Sequence, residues 1–131
     1  MNKGEVYFAL YGDAFDPQEV TNLLGIEPTS VAYKGVPGTR RHSVWRLSAG
    51  VVENDLVDVY EMSSALVAKL APHVDEINLA RERFGLESAL SVVLTITTDD
   101  AKSTPAIGFD RSVVAFLAKV GAWVDVDTYR D

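Results

Sequence analysis

The amino-acid sequence predicts an α+β fold, a two-layer sandwich in which helices cover one face of a mainly antiparallel sheet. Three observations lead there. Segments near both ends and in the middle alternate apolar and polar residues with a period of two. Between them lie runs whose apolar residues recur three and four positions apart. A chain of 131 residues, 47% hydrophobic, has enough material for one core. A single domain over residues 1–131 is therefore expected.

The first element is EVYFALYG (5–12), where Val6, Phe8 and Leu10 alternate with Glu5, Tyr7, Ala9 and Tyr11. It reads as a strand with one core-like and one aromatic face. FDPQEVTNLLG follows as a helix, with Asp16 as N-cap, Pro17 at the first helical position, Glu19 as the capping-box acid and Gly25 as the stop. Val20, Leu23 and Leu24 form its buried stripe. TSVAY reads as an edge strand, KGVPG as a turn through Gly35, Pro37 and Gly38, and SVWRLS as another alternating strand.

From Asn54 the pattern becomes helical. Leu56, Val59, Ser63, Leu66 and Leu70 fall on one face of about four turns, the longest helix expected. Pro72 disfavours helical geometry at Ala71, so Val74, Ile77 and Phe84 belong to a second helix or a kinked continuation that ends at Gly85. ALSVVLTIT is apolar and β-branched, as suits a central strand, and TTDDAKSTP is a polar loop. In the last third, Phe109, Asp110, Val114 and Leu117 repeat the types and spacing of Phe15, Asp16, Val20 and Leu23, a pseudo-repeat of strand, loop and Asp-capped helix. AWVDVDTY closes the chain as a strand with Ala122, Val124 and Val126 on one side and Trp123, Asp125, Asp127 and Tyr129 on the other. The layout is ferredoxin-like, and it leaves one sheet face bearing Tyr7, Tyr11, Arg46, Asp125, Asp127, Trp123 and Tyr129.

Charge is distributed unevenly. The formal charge is −7, yet no acidic residue lies between Glu27 and Glu53. The segment 34–46 holds Lys34, Arg40, Arg41 and Arg46; taking these four from twelve basic residues leaves eight against nineteen acidic ones, −11 elsewhere. An acidic balance argues against general nucleic-acid or anionic-membrane binding. No apolar run approaches a membrane span and the start lacks a signal-peptide pattern, so a cytoplasmic protein is expected. With no cysteine, disulfides, thiolate nucleophiles and cysteine metal sites are excluded.

FALYGDAFDPQEVTNLLGIEPT, then KG, RHSVWRLS and LAKVGAWVDVDTY, resemble the bacterial domain-of-unknown-function family 4279 over most of the chain. The resemblance implies a small α+β domain and supplies no catalytic residue.

Few residues are spaced for chemistry. With only His42 and His73 present, a three-histidine site cannot form. His73, Asp75 and Glu76 are better read as the first turn of a helix than as metal ligands. Asp125 and Asp127 share a strand face and could act as a carboxylate pair, but such residues are more often solvated or paired with cations. Trp45 and Trp123 could stack a flat ligand, although tryptophan on a strand more often packs. No phosphate loop or serine elbow is present, so no cofactor, metal or catalytic residue is expected.

Two classes remain. The first is a non-enzymatic protein-binding module, a homodimer or the partner of another protein, as toxin-immunity proteins are. The second is a regulatory module that binds a small anionic ligand on the aromatic sheet face with Arg46 as its hook. The candidate binding residues are Lys34, Arg40, Arg41, His42, Arg46, Asp125, Asp127, Tyr7, Tyr11 and Trp123. Lys34, Arg40, Arg41 and His42 are expected to project from a loop toward an acidic surface, and Arg46 to pair with Asp125 or Asp127.

Overall fold

The computed structural model describes residues 1–36, 38 and 41–131. Among these, five strands and four α-helices form a two-layer sandwich: β1 (Asn2–Gly12), α1 (Pro17–Leu24), β2 (Ser30–Ala32), β3 (Ser43–Asn54), α2 (Val59–Leu70), α3 (Val74–Phe84), β4 (Glu87–Ile96), α4 (Arg111–Lys119) and β5 (Trp123–Arg130). The sheet order is β2-β3-β1-β4-β5, with every neighbouring pair antiparallel except β4 and β5. The chain leaves β3 through α2 and α3 to reach β4, with β1 lying between the two strands. This is the split βαβ arrangement that a ferredoxin-like layout contains.

Alternation decides which face is covered. Val6, Phe8 and Leu10 of β1, Trp45 and Leu47 of β3, and Leu90, Val92 and Leu94 of β4 are buried in one cluster. Val20 and Leu24 of α1, Leu66 and Leu70 of α2, Ile77 of α3, and Val113 and Phe116 of α4 join them there. Trp45 is fully buried, so it packs as core, and its indole Nε1 donates to Thr21 Oγ1 of α1 at 3.1 Å. Asn2 is buried at the start of β1: its Nδ2 donates to the carbonyls of Asp55 and Ser103, and its Oδ1 accepts from the Thr97 amide. Three connections are thereby tied to the central strand.

The helix caps follow the sequence. The Asp16 carboxylate accepts from the Gln18 amide, and Gly25, at φ 69°, ends α1 in the left-handed region. Asp110 caps α4 in the same way through the Val113 amide.

Three expectations are corrected. Leu56 lies before α2 and is 59% exposed, because Asp58 caps the helix and delays its start to Val59. Ala71 is helical (φ −56°, ψ −36°) despite Pro72. A 3₁₀ turn over Ala71–His73 bends the path into α3, since the proline stands where the missing N–H can be tolerated. The pseudo-repeat ends at the caps: Val20 is buried but its counterpart Val114 is 56% exposed. In α4 the buried stripe begins with Val113, one position earlier. TSVAY supplies the edge strand expected of it, β2, over three of its residues.

Candidate functional site

The sheet face away from the helices is open, and the register assembles a patch there. Opposed residues form a row across four strands: Arg46 on β3, Ala9 on β1, Ala89 on β4 and Trp123 on β5. Neighbouring residues of one antiparallel row point to the same side, so the two alanines make a low floor between a cation and an indole. The next row holds Tyr7, Ser91 and Asp125, and the one on the other side holds Val44, Tyr11 and Glu87. All of these but Asp125 and Glu87 line a groove of about 140 Å³, to which His42 also contributes.

Contacts fix the walls. The Arg46 guanidinium carbon lies 4.9 Å from the centre of the Tyr7 ring, a cation–π contact. The Trp123 Nε1 donates to the Tyr11 hydroxyl at 3.0 Å, so the indole leans from β5 across Ala89 to β1. The Tyr11 ring meets His42 edge to face, with centroids 5.6 Å apart. Arg46 Nε is buried, and none of the described residues accepts a hydrogen bond from it. A guanidinium with one donor unmatched is suited to receive a carboxylate or another anion.

The expected pairing of Arg46 with Asp125 or Asp127 is not formed. All three share the open face, but β3 and β5 are separated by β1 and β4, which puts them about 14 Å apart at ordinary strand spacing. The basic loop is also corrected in part. Lys34 forms an ion pair with Asp13, and this hydrogen-bonded ammonium holds the Asp13 carboxyl below its ordinary value. Thus Lys34 is answered within the chain. Arg41 and His42 are exposed, as expected of a loop, and Arg40 lies outside the described residues. The turn before them depends on Gly35, at φ 79°, where the Val36 amide bonds back to the Tyr33 carbonyl. His73, Asp75 and Glu76 sit at the entry to α3, with both acids in its first turn.

Tyr7, Tyr11, His42, Arg46 and Trp123 thus come together, while Asp125 and Asp127 stand at the far side of the same face. Sequence reasoning missed Ala9, Ala89 and Ser91, which create the groove by being small. Their signal was available as parity, Ala9 lying between Tyr7 and Tyr11, but without the register nothing placed Ala89 beside it.

The family model described as Domain of unknown function (DUF4279) matches residues 2–131. The chain belongs to that family. No curated protein and no solved structure matches it. No helix among the described residues is long and apolar enough to cross a membrane.

Proposed function

We propose that the protein is a non-enzymatic, cytoplasmic binding module that takes a protein partner on the open face of its sheet. The observation that carries this reading is the row of Arg46, Ala9, Ala89 and Trp123, flanked by Tyr7 and Tyr11. Arginine, tyrosine and tryptophan are the side chains that dominate protein interfaces, because they bury large area and still offer a polar tip. Here they stand on strands, and the Trp123–Tyr11 bond already restrains two of them, which reduces the ordering cost of binding. The groove of about 140 Å³ receives one side chain or one carboxylate; small-molecule sites generally exceed about 300 Å³.

The unmatched Nε of Arg46 supports a second reading, a regulatory module that grips a small anionic ligand. An NMR titration separates the two. The ¹⁵N-labelled protein is mixed with a random glutamate–tyrosine copolymer and, separately, with succinate. The copolymer should shift the amides of Tyr7, Ala9, Arg46, Ala89 and Trp123 saturably, while succinate leaves them in place. Arg46→Ala and Ala89→Leu, the latter filling the groove, should each remove the response. Copolymer shifts confined to other surfaces would overturn the reading, and saturation by succinate would transfer it to the small ligand.

A further inference from the structure

On the open face the cation Arg46 stands on β3 and the carboxylates Asp125 and Asp127 on β5, while Glu5 and Glu87 mark the two ends of the strip between them. Arg46 on β3 has no ion-pair partner among the described residues, and neither have Asp125 and Asp127 on β5. Between them β1 and β4 present a low strip, with Ala9 beside Ala89 and Tyr7 beside Ser91. A surface divided in this way is complementary to itself. Half a turn about an axis running along the strands, between β1 and β4, lays β3 over β5 of a second copy and β1 over its β4.

We propose that the occupant of the open face is a second copy of this chain, docked face to face about that axis as the two sheets of a sandwich are. The proposal rests on the protein-binding reading above. Rotation about this axis preserves position along the strands, so the rows set the contacts. Arg46 shares its row with Trp123 and therefore meets Trp123 of the second copy. Asp125 of the second copy lies one same-face step farther along, about 6.7 Å away, within reach of a guanidinium on a flexible stem. Both contacts occur twice. An axis across the strands would instead lay β3 over β3 and β5 over β5, opposing the acidic strand to itself, which like-charge repulsion disfavours.

Four strands by eight residues give a projected footprint of about 19 Å by about 27 Å, roughly 500 Å² per copy. That is at the low end for a specific interface, so the dimer should dissociate in the micromolar range.

Sedimentation equilibrium tests the proposal, in about 0.15 M salt so that the net negative charges of the two copies are screened. Wild type should run as a monomer–dimer equilibrium. Arg46→Glu and Asp125→Arg should each raise the dissociation constant about tenfold or more, and combining them should restore it to within about threefold. Restoration is diagnostic because the two positions are too far apart to pair within one chain. Should Arg46→Glu fail to fold, as judged by circular dichroism, Asp125→Arg is tested alone and mixed with wild type, where the mixed dimer keeps one of the two contacts and should bind with intermediate strength; a mixed dimer no stronger than the variant's own overturns the proposal. A wild type that stays monomeric at about 500 μM overturns the proposal; copolymer binding on the same face would then leave the protein-binding reading intact. A dimer indifferent to Arg46 and Asp125 overturns it too, and places self-association on another surface.

Discussion

The link between β3 and α1 depends on one buried hydrogen bond, and Thr21→Val isolates it. Trp45 is fully buried and Thr21 nearly so, and the indole N–H has the Thr21 hydroxyl as its partner at 3.1 Å. Valine keeps the shape and a similar helix propensity but cannot accept. The hydroxyl's own bond to the Pro17 carbonyl is long, 3.4 Å, and adds little. The dominant effect is a buried donor left unmatched, about 1–3 kcal/mol, reduced somewhat by the added methyl group. For a chain of 131 residues the unfolding entropy is about 280 cal/mol/K, so a net loss of about 1–2 kcal/mol lowers the melting temperature by roughly 4–7 °C. Thermal unfolding followed by circular dichroism reads this directly. Trp45→Phe removes the donor, so Thr21→Val in that background should have almost no effect, and the double-mutant cycle should show a coupling of about 1–2 kcal/mol. Additive losses, or a shift below about 1 °C for Thr21→Val alone, would refute the reasoning.

Gly4→Ala should destabilise by about 1–3 kcal/mol, because the new Cβ would lie 2.6 Å from Val57 Cγ1 and 3.1 Å from Leu94 Cδ2, both on buried residues. Urea midpoints check it, and Val57→Ala in the same chain should recover part of the loss by making room. The Ser112 hydroxyl, and after it the Val113 amide, hold the Asp110 carboxyl below its ordinary value. The cap's contribution is therefore complete above the ordinary aspartate pKa and fades as pH falls through the lowered one. Asp110→Asn retains an N-cap that does not titrate, so the stability gap between wild type and variant should change in that acid window, with wild type losing ground. A gap that stays constant from pH 7 to pH 2 would contradict the assignment.

Much of the fold was legible because its signals are local. Asp16 and Asp110 cap helices where the sequence placed them, since a carboxylate one residue ahead of a helical run can satisfy its first amides without help from elsewhere. Gly25 and Gly85 end helices with positive φ for an equally local reason, the absence of a Cβ. The parity of β1 and β3 separated the core residues from Tyr7, Tyr11 and Arg46, because a strand's side-chain period is fixed at two. Where Leu56 and Val114 were misplaced, periodicity was present but its phase depended on which side of the helix the sheet lay, and that is not a local property.

Sequence alone was enough for the two-layer class, for most caps and turns, and for the large aromatic and charged side chains of the open face. Strand order and register came only with the tertiary structure. They separated Arg46 from Asp125 by two intervening strands, brought Ala89 beside Ala9 to open the groove, and drew Trp123 to Tyr11 across 112 positions of chain. The physical reason is that pairing between distant strands is decided by the summed burial of their inner faces against the helices. The outer face, which holds the candidate site, inherits its neighbours from that choice.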